Sequence, residues 1–334
     1  MDRRKFLKIS GSLAVGGIIL SVVGRGMWNM LKRPEKIFYD SKRTKGPVLL
    51  KEDENFVSPY RRVYGFVAPD DILAMDIEGG SIYVATPNNI YVYGLSGELQ
   101  TNFSTPSDLR DITIYDGLVY ALFQARIEVY DRQGEIVRQW EACSDNADYC
   151  SLAVCKEGVF VTDASNKHIC KYNLDGSLAR FIQSPKGFIV PSYCFGITYM
   201  SGKIYCSNPG RHLVESYTTD GEFVASFGKA GADPGAFSGC CNPAIITPSN
   251  NGELLTSEKG IPRISCYRAD GKFRSVLLDK KALGGGNSAY DVRVMKDKLI
   301  VTGGAKVSVF QYDKRLSQQT ECGRCEVDCP LKVN

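Results

Sequence analysis

The chain has 334 residues, 43% apolar and 23% charged, which is enough for one large domain or two ordinary ones. Its 33 Gly, 18 Tyr and 15 Phe lean toward a turn-rich β protein and away from helix or disorder. The net charge of +4 is unevenly spread: residues 1–33 hold seven Lys/Arg against Asp2 alone, leaving 34 basic and 36 acidic groups of the 41 and 37 elsewhere. A near-neutral body has no electrostatic footprint for nucleic acid, so that partner class is excluded. His168 and His212 are the only histidines, which excludes a three-histidine metal site, whereas the twelve cysteines invite explanation.

Residues 1–8, M-D-R-R-K-F-L-K, precede sixteen uncharged residues, Ile9–Gly24. A basic segment followed by a weakly hydrophobic one is an export signal. Arg3-Arg4 followed by Phe6-Leu7-Lys8 resembles the bacterial twin-arginine signal, which implies export of an already folded protein. Val22-Val23-Gly24 before Arg25 makes a poor cleavage site, and sixteen residues are short for a free-standing span, so cleavage and retention as an anchor helix both remain open. Either way the body is expected outside the cytoplasm: periplasmic, or tethered to the inner membrane.

The body repeats. An apolar-aromatic-apolar strand recurs at Ile82–Ala85, Leu118–Ala121, Val159–Thr162, Ile204–Ser207, Leu254–Ser257 and Leu299–Thr302. A second strand follows each, ending at Tyr93, Tyr130, Tyr172, Tyr217, Tyr267 and Phe310. Turns come next: Ser96-Gly97, Gln133-Gly134, Asp175-Gly176, Asp220-Gly221, Asp270-Gly271 and Lys314-Arg315, with the glycines 37, 42, 45 and 50 residues apart. Glycine takes the positive φ of such hairpins without steric cost. Six near-equal units without helical period predict an all-β, six-bladed β-propeller. The expected organisation is a signal or anchor over 1–33, a linker over 34–58, the propeller over 59–316 and a cysteine-rich tail over 317–334. Arg61–Val67 is placed to complete the last blade and hide its open edge; Leu316–Thr320 is the other candidate.

Phe227–Phe237 (F-G-K-A-G-A-D-P-G-A-F) looks like the blade junction of NHL-repeat propellers, and Asn166–Tyr172 followed by Asp175-Gly176 looks like that family's central signature. The resemblance implies a propeller used for binding or, in some relatives, for lyase or lactonase chemistry; fold alone does not choose among these.

The tail, Cys322-Gly-Arg-Cys325-Glu-Val-Asp-Cys329-Pro330, resembles the end of a bacterial ferredoxin run with one cysteine missing. Three tail ligands fall short of the four a four-iron cluster takes. Cys240-Cys241 precedes the innermost strand of blade five, at the expected rim of the central channel. Cys150 and Cys194 take the same place in their blades, with Cys143 just before one of them, so these five are expected to gather around one face. Cys155, Cys170, Cys206 and Cys266 read as buried small hydrophobes. The candidate cofactor and metal ligands are therefore Cys240, Cys241, Cys322, Cys325 and Cys329, for an iron–sulfur cluster, for zinc in a closed thiolate site, or for no cofactor at all if the cysteines form disulfides.

Weaker constellations are Glu258 and Arg263, in a loop that either holds a ligand or is solvated, and Asp76, Asp111 and Asp291, which as inward carboxylates would suggest a lactonase-type calcium site. No Ser–His–Asp order, nucleophile elbow or phosphate loop is present, so no catalytic residues are assigned, and a binding or electron-transfer role stands ahead of an enzymatic one without excluding it. Three functions stand in competition. They are an exported propeller whose cluster serves electron transfer to a membrane-bound redox partner, a disulfide-stabilised binding scaffold, and an NHL-type lyase or lactonase with a channel metal.

Overall fold

In a computed structural model, which describes residues 56–317, the chain folds into six four-stranded antiparallel sheets. Blade one is β2 (Ala74–Glu78), β3 (Ser81–Ala85), β4 (Asn89–Gly94) and β5 (Leu99–Ser104), from channel to periphery. Blade two runs from β6 (Leu109–Tyr115) through β7 (Leu118–Phe123) and β8 (Arg126–Tyr130) to β9 (Ile136–Glu141). Blade three is β10 (Tyr149–Cys155), β11 (Gly158–Asp163), β12 (His168–Tyr172) and β13 (Leu178–Ile182). Blade four is β14 (Ile197–Met200), β15 (Lys203–Asn208), β16 (Leu213–Thr218) and β17 (Phe223–Phe227), and blade five is β18 (Ile245–Pro248), β19 (Leu254–Glu258), β20 (Arg263–Tyr267) and β21 (Phe273–Leu278). Blade six joins β22 (Asp291–Met295), β23 (Lys298–Gly303) and β24 (Lys306–Tyr312) to β1 (Tyr60–Val67).

The last pairing closes the ring. β1 runs antiparallel to β24 from Tyr60↔Tyr312 to Val67↔Lys306, so the two ends of the propeller cover each other's open edge. Arg61–Val67 is thus the closing strand; Leu316 instead lies in a single helical turn, α1 (Lys314–Ser317). The second strand of each blade is almost wholly buried, whereas β5, β9 and β17 are exposed along most of their length. That gradient explains the sequence. Apolar-aromatic runs occupy the middle strands and polar residues the outer ones.

What joins one blade to the next is a repeated aromatic lock. The aromatic at the end of each third strand meets a bulky side chain of the preceding blade's outer strand: Tyr93 on Phe66 at 4.5 Å between ring centroids, Tyr130 on Phe103 at 5.3 Å, Tyr172 on Trp140 at 6.3 Å and Tyr267 on Phe227 at 5.1 Å. The turn glycine that follows completes each lock. Gly134 has φ +86°, and a Cβ there would stand 2.4 Å from the Phe103 side chain; Gly271 has φ +83° and would meet Phe227 at the same distance. The glycine therefore serves twice, supplying a left-handed turn and leaving room for the neighbour's ring.

A second set of ties runs along the channel wall. Asp291 accepts a hydrogen bond from the Met75 amide at 3.0 Å, Asp76 from the Ile114 amide at 2.7 Å, and Asp111 from the Leu152 amide at 3.1 Å and the Ser151 hydroxyl at 2.6 Å. Each carboxylate thus satisfies a backbone donor of the next blade's inner strand. Further round, the Thr162 hydroxyl donates to the Phe195 carbonyl at 2.6 Å, and the Tyr290 amide donates to Ser257 at 3.0 Å. Arg293 stands at the closure, donating to Asp76 at 3.0 Å, to Thr247 at 3.3 Å and to Asp291. The three inward aspartates are therefore ties between blades rather than a set of calcium ligands, because their oxygens are committed to amides, a hydroxyl and a guanidinium.

Two outcomes follow. Gly134→Ala should destabilise the fold by about 2–4 kcal/mol, from positive-φ strain plus overpacking against Phe103, read as a shift in the urea midpoint. Arg293→Met should cost about 3–5 kcal/mol by leaving Asp76 and Asp291 without their cation; adding Asp76→Asn should recover part of that loss in the same measurement.

Candidate functional site at the channel mouth

The inner strands surround a cavity of about 620 Å³, lined by Asp76, Asp111 and Arg293 at depth and by Cys150, Tyr193, Cys194 and Lys259 toward the mouth. Burial lifts the Asp111 carboxyl to about 7, and it raises Asp76 as well, despite Arg293 beside it. The channel floor is therefore less anionic near neutrality than three carboxylates suggest.

At the mouth, Cys194, Cys240, Cys241 and Lys259 come together. Cys194 precedes β14, the vicinal pair precedes β18, and Lys259 follows β19 in the hairpin loop of blade five. The Cys240 and Cys241 sulfurs are 3.3 Å apart; Cys240 is exposed, while Cys241 is 8% exposed. Cys194 hydrogen-bonds to Cys241, and this, with further donors from Ser192 and Cys240 and the Lys259 charge, overcomes burial and holds the Cys241 thiol down at about 4. That same hydrogen bond, then burial, pushes the Cys194 thiol upward, so it keeps its proton and donates. Burial first, then the bond to Cys241, raises Cys240. Burial works against the Lys259 charge, but Cys194 and Cys241 hold its ammonium above the usual value. The result is one thiolate with a lysine counter-charge and two protonated thiols beside it.

The surrounding loops fix this arrangement. Asn242, 1% exposed, accepts from the Lys259 amide at 2.9 Å and donates to the Lys259 carbonyl at 2.9 Å, so the residue next to the vicinal pair grips the lysine's backbone. Glu258 and Arg263, expected either to hold a ligand or to lie in solvent, do neither. They form a buried two-pronged ion pair, at 2.7 and 2.9 Å. Arg263 also donates to the carbonyls of Ala232 at 2.8 Å, Asp233 at 3.1 Å and Ala236 at 2.5 Å. One guanidinium thereby fastens both the loop that presents Lys259 and the junction that leads into Cys240. Tyr193, 65% exposed with φ +56°, projects at the mouth beside Cys194.

The expected gathering of five rim cysteines is only partly realised. Cys194, Cys240 and Cys241 meet, whereas Cys150 lines the channel apart from them, its thiol raised to about 12 by burial and by Asp148. Cys143 turns away from the rim, its sulfur 3.6 Å from that of Cys170 in the core between blades two and three, because the loop before β10 packs it against that cluster. Cys155, Cys170, Cys206 and Cys266 are buried as expected, and all nine described cysteines are free. Cys322, Cys325 and Cys329 lie outside the described residues, as does the 1–33 signal or anchor. No described helix is long and apolar enough to cross a membrane. The closing strand sets where the tail starts: β24 begins at the rim and ends at Tyr312 on the opposite face. Sequence reading missed Lys259 as a site residue and saw Glu258 and Arg263 as its functional neighbours; the signal was a lysine in a rim hairpin of the blade that carries the vicinal cysteines.

No family model and no curated protein matches this chain. Solved structures do. Virginiamycin B lyase from Staphylococcus aureus is 13% identical with a TM-score of 0.53, covering 75% of this chain and 99% of its own. A catalytically inactive histidine-to-alanine form of that lyase with quinupristin is 12% identical with a TM-score of 0.53, over 75% and 99%. A chain of the mitotic checkpoint complex is 10% identical with a TM-score of 0.56, over 84% and 100%. At these identities the likeness is one of fold: a six-bladed β-propeller.

A Cys241 thiol near 4 remains ionised at about pH 6, where ordinary thiols of pKa ~8.5 are protonated. Iodoacetamide should therefore label Cys241 ahead of the other described cysteines at that pH, with Lys259→Gln moving the onset of labelling upward, as followed by peptide mass spectrometry. Because the folded value lies below the unfolded one, the thiolate's stabilising contribution is complete above ~8.5 and declines as pH falls toward about 4.

Proposed function

We propose that this chain is an exported propeller carrying a thiolate-ligated metal centre at its channel mouth, an iron–sulfur cluster that serves electron transfer with a membrane-bound partner. The observation that supports this reading is the convergence of Cys194, Cys240 and Cys241 on Lys259, with one thiol held ionised. Iron and zinc bind thiolate, not thiol, and here the protein stabilises the anion in advance. A sulfur pair 3.3 Å apart is close to the spacing of about 3.7 Å that two thiolates take on one tetrahedral metal at ~2.3 Å each.

The rim offers three ligands, and the ferredoxin-like tail is the source of a fourth. Starting from Ser317, five residues reach Cys322, about 17 Å when fully extended, and twelve reach Cys329, about 40 Å. The tail starts on the far face and has a blade of about 15–20 Å to climb before crossing to the mouth. Of Cys322, Cys325 and Cys329, the last has the reach. The twin-arginine-like signal accords with a centre assembled before export, and the exposed Tyr193 and Cys240 give a partner its contact at the mouth.

The lyase alternative gains less. The lyase of like fold has a catalytically inactive histidine-to-alanine form, and neither His168 nor His212 is among the residues lining this channel. The disulfide alternative leaves the lysine-stabilised thiolate without a role.

The full chain purified without oxygen should contain iron and acid-labile sulfide and show visible sulfur-to-iron charge-transfer absorption. Cys194→Ser, Cys241→Ser and Cys329→Ser should each remove the colour while the β-sheet circular dichroism persists. Zinc in place of iron would overturn the electron-transfer role, and a colourless, metal-free mouth would overturn the centre itself.

A further inference from the structure

A second thiol cluster lies outside the channel. Cys143, in the loop between β9 and β10, and Cys170, on β12, bring their sulfurs to 3.6 Å. A ligand nitrogen of His168 lies within 4.8 Å of both. β12 explains the grouping: alternate residues share a face, so His168, Cys170 and Tyr172 point together, and the loop carrying Cys143 folds over them. Tyr149 closes the side, its hydroxyl 3.9 Å from the Cys143 sulfur and hydrogen-bonded to that of Tyr172.

We propose that Cys143, His168 and Cys170 form a zinc site that ties the loop between blades two and three to the third strand of blade three. The donor set is soft, and the sulfur spacing fits a shared zinc, which needs about 3.7 Å for two sulfurs at ~2.3 Å. Charge chooses the ion. Two thiolates and a neutral imidazole around Zn²⁺ sum to zero, the state an apolar core between blades tolerates, whereas a monovalent ion leaves a buried net negative charge. Zinc binds thiolate, so each coordinated sulfur gives its proton to solvent as the metal binds, two protons per zinc. His168 Nε2 is buried without a hydrogen-bond partner, an unmet polar atom at the edge of the cluster. Cys143 is partly exposed, so solvent can supply the fourth ligand.

The site is separate from the channel mouth, and its test is independent of what binds there. Metal analysis of the dialysed full chain should find one zinc per protein that is lost in Cys143→Ser and His168→Ala but kept in Cys241→Ser. Cobalt substituted for that zinc should show thiolate-to-metal charge-transfer absorption in the wild type and not in Cys143→Ser. A chelator should lower the thermal midpoint of the wild type and leave that of Cys143→Ser unchanged, a readout that a merely destabilised variant would not reproduce. Zinc content unaffected by Cys143→Ser and His168→Ala, or a Cys143–Cys170 disulfide in the unreduced protein, would overturn the proposal. A colourless channel mouth beside an intact zinc would overturn only the cluster.

Discussion

The packing of one blade's turn glycine under the ring of its neighbour is the contact on which this molecule depends. Four-stranded sheets of this size cannot bury both faces alone, and six of them reach stability only by covering one another in a ring. Each junction therefore has to be close, and closeness is set by the smallest residue present. At Gly134 and Gly271 the backbone lies against Phe103 and Phe227 with no space for a methyl group. The lock also orients each blade, because the aromatic that ends the third strand meets the same ring. The ring closes within blade six, where β1 pairs with β24 and brings Phe66 to the lock with blade one.

A ring built at its periphery by rings and glycines is tied at its centre by charge. The inner strands present their amides to the channel, and Asp291, Asp76 and Asp111 each reach across to an amide of the following blade. This disposes of polar backbone that would otherwise face a narrow cavity, but it concentrates anions, and Arg293 offsets them at the closing blade. The same logic recurs at the rim, where Arg263 satisfies Glu258 and three carbonyls at once and so holds two loops in register. Lys259 and the vicinal cysteines face each other because this buried pair lies beneath them.

Much of the fold was legible in the chain. The alternating strands, the turn glycines and the aromatic third strands describe one unit six times, and the residues 61–67 strand was placed by the need to hide an edge. These signals are local and periodic, so they survive reading in one dimension. The site was less legible. Cys194 and the vicinal pair were assigned to the rim by their position before inner strands, which is a matter of topology. Whether two rim thiols meet depends on side-chain direction: Cys143 faces inward and Cys150 stands alone. Glu258 and Arg263 carry no mark in sequence that separates a buried structural pair from a solvated loop. His168 and His212, which look equivalent, are one residue out of register: His168 opens β12, while His212 precedes β16.

The two thiol groups show how surroundings, not residue type, determine cysteine chemistry here. At the mouth, three hydrogen-bond donors and the Lys259 charge make the anion of Cys241 the stable form. Between blades two and three, Cys170 is buried beside Cys143, and burial, with that second sulfur next to it, pushes its thiol upward. The first favours the charged form of a thiol and the second the neutral one. The two groups stand apart in the fold: Cys194, Cys240 and Cys241 precede the inner strands of blades four and five, whereas Cys143 and Cys170 lie between blades two and three.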